Sequence, residues 1–301
     1  MKVFAIGGSR NIGYYASLRL LGESRSRRPW SVDSHSFATE KGATVTFLLR
    51  NPGAFDSDPK IQEYVQKGTA RLVKGDALNK NEVRQGWVTA GQPEADSTTE
   101  GVDVVLFTIG GTPSFSPLRG FVISPADLCT RSMLNVLSTL PRSEHAPPRI
   151  IALSSVGLSH ISHKSLPLSM RLLYSLALGQ PHEDKRGMEE VLAHCLGAGE
   201  APGGTTSPKI LPPGWEATDG LPGKGELPAV VVVRPALLTD GVCRADEAGT
   251  KANAYRVRSD GDLPVAGGYT ISRRDVSHFI AERLLGAEWS EWQGKGVSLA
   301  I

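Results

Sequence analysis

The sequence predicts an α/β protein built on a doubly wound parallel sheet, on three observations. Short apolar, β-branched runs recur between helical patterns along the 301 residues. These runs are apolar throughout instead of alternating, as strands buried on both faces must be. The first of them passes through a glycine-rich turn straight into an amphipathic stretch. Strands and helices in alternation, with helices needed on both sides, make a parallel sheet.

The elements follow in order. Val3–Ile6 reads as the first strand, Gly7-Gly8-Ser9-Arg10-Asn11-Ile12-Gly13 as a tight turn, and Ile12–Leu21 as the helix behind it. Ser24–Glu40 is rich in serine, arginine and histidine and lacks apolar periodicity. Joining Glu23 to Lys41 restores an uninterrupted helix-to-strand passage, so residues 24–40 are expected to be a flexible insertion. Its Arg25, Arg27 and Arg28 read as a solvated loop cluster; an anion dock is the sharper alternative. Further strands are expected at Ala43–Leu49, Ala70–Val73, Val102–Phe107, Arg149–Leu153, Ala229–Val233 and, weakly, Gly296–Leu299. Helices are expected at Ile61–Lys67, Lys80–Val88, Pro125–Leu140, Lys185–Leu196 and Arg273–Leu285. In Gly197–Pro228, 14 of 32 residues are glycine or proline, which predicts a second flexible insertion, at 197–228, without regular structure. Residues 1–301 read as a single Rossmann-type domain, with a small loop-rich C-terminal lobe for substrate.

Composition narrows the function classes. A formal net charge of +2 is too mild to call for a nucleic-acid partner. Cys129, Cys195 and Cys243 are odd in number and widely spaced, so they form neither a disulfide framework nor a metal set, and a reducing compartment is expected. The apolar start is too short for a signal peptide. No apolar run approaches the roughly 20 residues of a membrane span. The expectation is a soluble cytoplasmic protein with a small-molecule substrate, no metal and no membrane or nucleic-acid partner.

A strand that feeds a helix through a glycine turn leaves the first helical N–H groups aimed above the sheet edge. With the helix dipole they suit the pyrophosphate of a dinucleotide. Gly7, Gly8, Ser9, Arg10, Asn11, Ile12 and Gly13 are therefore the candidate cofactor cradle. Arg50, at the end of the second strand, stands 37 residues after Gly13, and removing the 17 residues of 24–40 leaves the usual spacing of about 20. An NAD site places an acid there to bind the ribose 2′-hydroxyl. This chain has Leu48-Leu49-Arg50-Asn51, with no acid. Arg50, with Arg10 from the turn, attracts a 2′-phosphate, so NADP(H) is the expected cofactor; the plainer readings are a solvated strand-end arginine and a turn arginine paired with a carboxylate.

GGSRNIG resembles the G-A-S-R-G-I-G turn of NADP-dependent short-chain dehydrogenases/reductases, departing at Asn11, the non-glycine residue type that best tolerates positive φ. Later segments resemble the atypical branch of that family, the NmrA-like and NAD(P)H-binding proteins related to biliverdin reductase B (flavin reductase). They are Val73-Lys74-Gly75-Asp76-Ala77, Phe107-Thr108-Ile109-Gly110-Gly111-Thr112, Ile150 to Gly157, His182 to Leu192, Val233 to Gly241, and Tyr269 to Ser277. The resemblance implies that Asp76 and Ala77 meet the adenine and that Gly110 and Gly111 pack on the adenosine and ribose. It puts Ser154 and Ser155 at the nicotinamide end and Pro235 at the sixth-strand exit.

The family's usual acid is a tyrosine four residues before a lysine whose charge lowers the phenol's pKa. Lys185 stands at the lysine position, but the tyrosine position is Pro181, which carries no proton to give, and Tyr174 lies eleven residues before Lys185. Lys185 then reads as a holder of the nicotinamide ribose, or as a solvated helix-start lysine. Lys185 and Ser155 remain the catalytic candidates. Ser154 and Ser155 either contact nicotinamide and substrate or simply bond at a strand exit. An enzyme of this kind needs an acceptor that takes hydride without an enzymic acid, such as a flavin, a quinone or a linear tetrapyrrole. The alternative is a non-catalytic NmrA-like redox sensor that binds NADP(H) and signals to a protein partner. His160 and His163 read as loop histidines, His182 as a helix cap or candidate acid, and His194-Cys195 as pointing to different helix faces. Tyr255 and Tyr269 either line a substrate pocket or close the core, and Trp289 and Trp292 pack near the terminus.

Overall fold

Alternate side chains of each buried strand leave in opposite directions, and this divides the core in two. Val3 and Ala5 pack into one cluster with Val45, Phe47, Leu106 and Val231, whereas Phe4 and Ile6 pack into the other with Leu48, Val105, Phe107 and Val232. The computed structural model describes residues 1–22, 42–93, 100–112, 114–116, 120–142, 146–159, 162, 164, 179–199, 201, 203–247, 254–259 and 263–301.

The chain runs β1 (Lys2–Ile6), α1 (Asn11–Leu21), β2 (Thr44–Leu49), α2 (Pro59–Gln66), β3 (Ala70–Lys74), α3 (Lys80–Gly91) and β4 (Val104–Phe107). A short hairpin, β5 (Ser114–Ser116) and β6 (Gly120–Val122), precedes α4 (Leu128–Ser138), β7 (Arg149–Leu153) and α5 (Gly179–Leu196). Then come β8 (Val230–Pro235), β9 (Leu237–Thr239), α6 (Arg244–Glu247), β10 (Arg256–Arg258), β11 (Thr270–Ser272), α7 (Arg273–His278), α8 (Trp289–Trp292) and β12 (Gly296–Ala300). Eight strands form one sheet in the order β10-β12-β8-β7-β4-β1-β2-β3, all parallel except β10, which is antiparallel to β12. The order reverses between β1 and β4, which opens the crevice where doubly wound sheets bind ligands. This is a Rossmann-type fold.

Every expected strand is present. The C-terminal lobe also carries a small parallel pair, β9 with β11, too short to stand out from its surroundings in the sequence. α5 begins at Gly179 within the described residues, earlier than the expected Lys185, because Pro181 falls in its first turn, where a missing N–H costs nothing. Past α7, the expected single helix widens into a π-helical turn at Phe279–Leu284.

Within residues 197–228 the described residues form no α-helix or strand, as the glycine and proline content predicts. They hold a 3-10 turn at Trp215–Ala217 and bury Ile210, Leu211, Trp215, Leu221 and Leu227. Leu211, Trp215, Leu221 and Leu227 join the core cluster of α3, α4 and α5. Glycine and proline exclude helix and strand here, yet spaced apolar side chains still bury their area, and that holds an irregular backbone in place. Residues 24–40, with the Arg25, Arg27 and Arg28 cluster, lie outside the described residues.

Candidate functional site

The β1–α1 turn is shaped by close approach. Gly7 has φ +89°, and a Cβ there would stand 2.6 Å from the Ile109 nitrogen. A Cβ on Gly13 would strike the Thr108 hydroxyl and stand 2.8 Å from the Gly7 carbonyl. Only glycine lets the turn lie this close to the β4 exit. Gly8 packs against Phe47. Asn11 has φ +57°, the left-handed conformation that its amide side chain tolerates.

The helix that follows is open at its N-terminus. Its first intrahelical bond runs from the Tyr14 N–H to the Arg10 carbonyl at 3.3 Å, so the amides of Asn11, Ile12 and Gly13 lie ahead of it. Arg10 at the N-cap makes no side-chain cap, and no acid stands in the first turn. The starts of α2, α3 and α7 are covered by side chains. Asp58 accepts from Lys60 and Ile61 at the start of α2, Asn79 from Asn81 at α3, and Ser272 from Asp275 at α7. The buried Asp184 carboxylate, reaching across from α5, accepts from the Cys129 and Thr130 amides of α4 at 2.8 and 2.9 Å.

Lys185 joins the exits of two neighbouring strands. Its Nζ donates to the Ile109 carbonyl at 2.9 Å and to the Leu153 carbonyl at 2.6 Å. A buried bidentate pair between Glu189 and Arg234, at 3.0 and 2.7 Å, fastens the same helix to β8 and so fixes where Lys185 stands. Gln180 adds two bonds of 2.8 Å to the Ile123 backbone. Beside Lys185, burial pushes the Cys129 thiol up to about 12, with the ammonium working the other way, so the sulfur stays a neutral thiol.

The structure thus gathers the cradle residues Gly7 to Gly13, the loop with Gly110 and Gly111, the β7 exit and Lys185 around the switch point. Ser9, Arg10 and Gly110 are exposed, and Gly111 lies against Ile123. Arg10 donates to the Thr112 hydroxyl at 2.6 Å and bridges the mouth between turn and loop. Ser154 is buried, its hydroxyl unpartnered, whereas the Ser155 hydroxyl donates to the Val156 carbonyl at 3.1 Å.

The other candidates lie along the same edge. Arg50 is exposed at the end of β2, one strand from the turn. Asp76 and Ala77 follow β3, two strands away; the Asp76 carboxylate accepts from the Leu78 amide at 2.9 Å, and the Ala77 carbonyl accepts from Asn135. Pro235 ends β8 on the far side. From β3 to β7 is four strand spacings, about 19 Å, which suits an extended ligand laid across the edge.

Sequence reasoning gave no individual role to Thr108, Thr112, Asp184 and Gln180, because their partners are distant in the chain. Tyr255 is buried with its hydroxyl 2.8 Å from His278 Nδ1, and Trp289 and Trp292 are buried beside it; Tyr269 is exposed. His194 stacks edge-on against Trp215. His160, His163 and Tyr174 lie outside the described residues. The three cysteines are free and buried. Among the described residues no metal-ligating cluster occurs, and no helix is long and apolar enough to cross a membrane.

A glycine turn under an open helix, set at the reversal point of a parallel sheet, defines the class: a Rossmann-type α/β protein with the turn geometry of dinucleotide binders. Its relatives agree. The chain is 28% identical over 273 residues, 87% of this chain and 90% of the other, to the reductase pytE of Aspergillus terreus. No family model matches. Solved structures with the same fold include a short-chain dehydrogenase/reductase from Veillonella parvula, with TM-score 0.55 and 13% identity over 100% of this chain and 94% of that one. A short-chain dehydrogenase from Burkholderia cenocepacia in complex with NADP gives TM-score 0.54 and 17% identity over 99% and 95%. The anaerobillin reductase ChuY from Escherichia coli gives 0.51 and 15% over 100% and 97%. The fold is therefore that of the short-chain dehydrogenases/reductases and Rossmann NAD(P)-binding proteins, as the sequence resemblance implies.

Proposed function

We propose that the protein is an NADP(H)-dependent oxidoreductase that reduces a small conjugated acceptor without a tyrosine acid. The observation that carries this reading is the open, acid-free N-terminus of α1 above a turn that only glycine allows. A diphosphate fits there, because the amides and helix dipole offer partial positive charge with no side chain in competition. Similarity to a reductase over most of both chains, and a shared fold with an NADP-bound dehydrogenase, support the oxidoreductase class.

Each group then has a role. Gly7 to Gly13 hold the diphosphate, and Arg50 and Arg10 select the 2′-phosphate. Asp76 and Ala77 border the adenine, Gly110 and Gly111 the adenosine, and Pro235 the nicotinamide end. Bound NADPH supplies the hydride. Lys185 braces the Ile109 and Leu153 carbonyls and keeps a third N–H for the ribose. Ser154 offers its unpartnered hydroxyl, and Ser155 orients the acceptor. Pro181, four residues before Lys185, supplies no acid, so the acceptor's proton comes from solvent.

One feature favours a second reading, a sensor that binds NADP(H) and signals to a protein partner: the Lys185 ammonium is engaged by two carbonyls, and Pro181 stands four residues before it. Calorimetric titration with NADPH, NADP⁺ and NADH, followed by NADPH oxidation with FMN or a quinone, decides. Tight NADPH with at least tenfold weaker NADH, about 1.4 kcal/mol, and turnover above the buffer rate support the reductase. Binding without turnover supports the sensor, and no binding overturns both.

A further inference from the structure

The loop that leaves β4 is held from several sides. Its Thr108 and Ile109 stand so close to Gly7 and Gly13 that neither glycine has room for a Cβ. Lys185 and the Cys129 thiol both donate to the Ile109 carbonyl, at 2.9 and 3.4 Å. Gly111 lies against Ile123, whose backbone is tied by two bonds to the Gln180 side chain. Thr112 follows directly, so its hydroxyl is carried on a braced backbone, and a partner must come to it.

That partner is Arg10, whose Nη2 donates to the Thr112 hydroxyl at 2.6 Å. Both residues are exposed. In the sheet β1 lies between β4 and β2. The bond commits Arg10 to the β4 loop, whereas Arg50 follows β2, on the other side of β1. β4 and β2 are two strand spacings apart, about 10 Å. A guanidinium bonded to Thr112 is therefore turned away from a phosphate beside Arg50.

We infer that Thr112 is a specificity-determining residue that competes with the cofactor's 2′-phosphate for Arg10. The inference rests on the reading of Arg10 as a partner of that phosphate. The hydroxyl is neutral, whereas a phosphate is charged and takes two N–H groups of a guanidinium at once. NADPH therefore wins Arg10, but its affinity is reduced by the fraction of time that Arg10 is free. NADH has no 2′-phosphate and leaves the Arg10–Thr112 bond intact, so it bears no such cost. Thr112 thus narrows the NADPH preference that Arg10 and Arg50 set.

The test is calorimetric titration of the full chain with NADPH and with NADH, in the parent, Thr112→Val, Thr112→Ser, Arg10→Ala and the double variant. Thr112 is exposed, so its substitutions disturb no core. Thr112→Val should bind NADPH about fivefold more tightly, as for an Arg10 free about one-fifth of the time, and NADH within about twofold of the parent. Thr112→Ser keeps the hydroxyl and should match the parent. Arg10→Ala should weaken NADPH, and adding Thr112→Val to it should change nothing further. General damage to the loop does not tighten a site, so the gain separates competition from a structural role. Should Arg10→Ala weaken NADPH while Thr112→Val gives no gain, or should the gain persist without Arg10, the inference is overturned and the cofactor reading stands. NADPH affinity untouched by Arg10→Ala, or absent from the parent, overturns the Arg10 reading and this inference with it.

Discussion

The helices α1 and α4 both start near the switch-point edge of the sheet, and each has amides there that its own turns cannot satisfy. At α4 the protein supplies the anion itself: Asp184, buried, accepts from Cys129 and Thr130. At α1 neither the N-cap residue nor the first turn supplies one, and glycines keep the approach clear. The difference separates an electrostatic demand met by the fold from the same demand left for a ligand. It also explains why Asp184 and Lys185, adjacent in the chain, do different work: one closes a helix end, and the other ties together two strand exits.

The largest expected effect lies on the closed side. Asp184→Ala strands two buried amides and should cost about 3 kcal/mol of stability, read by urea denaturation. Asp184→Asn keeps one acceptor and should cost about half as much. A loss below about 0.5 kcal/mol for Asp184→Ala would show that α4 does not need the cap.

On the open side, Arg50→Ala should weaken NADPH by more than tenfold and leave NADH unchanged, since a charged hydrogen bond is worth ~1.5–3 kcal/mol. Calorimetry reads this, and an NADPH affinity within about twofold of the parent would remove Arg50 from the site. Asn11→Ala, at φ +57°, should lower stability by about 1 kcal/mol, whereas Asn11→Gly should be nearly neutral. Equal stabilities for the two variants would show that the turn relaxes.

The smallest effect is in pH dependence. α7 touches the open turn, because the Ser277 hydroxyl donates to the Ile12 carbonyl at 3.0 Å. It also carries His278, whose pKa is lowered from 6.5 by burial and by the Arg19 guanidinium. The unfolded chain therefore binds a proton here that the folded one refuses, so stability falls as pH drops below about 6.5. Glu288, held below its ordinary 4.5 by Arg283 against the cost of burial, adds loss only at lower pH. Melting temperatures from pH 7 to 5 should therefore decline less in His278→Gln than in the parent. Parallel declines would assign the effect to other groups.

Much of this was legible in the chain. Val3–Ile6, Ala43–Leu49 and Arg149–Leu153 announce buried parallel strands because their neighbours on both faces are apolar, and that pattern is local. Asn11 is legible for the same reason, since its tolerance of positive φ belongs to its own side chain. The ordered packing of 197–228 is not legible, because composition reports which regular structures are excluded and not which side chains find a core. The caps divide likewise. Ser272 with Asp275 is a signal three residues long, whereas Asp184 lies 55 positions from the Cys129 amide it accepts from.

The sequence by itself determined the alternation of strands and helices, the glycine turn, the absence of an acid beside Arg50 and the proline four residues before Lys185. Each is a property of neighbouring residues. The tertiary structure alone decided that Asp184 closes α4, that Lys185 spans the Ile109 and Leu153 carbonyls, and that Arg10 reaches Thr112. Those depend on which distant segments the sheet order brings together, and burial in the shared core sets that order.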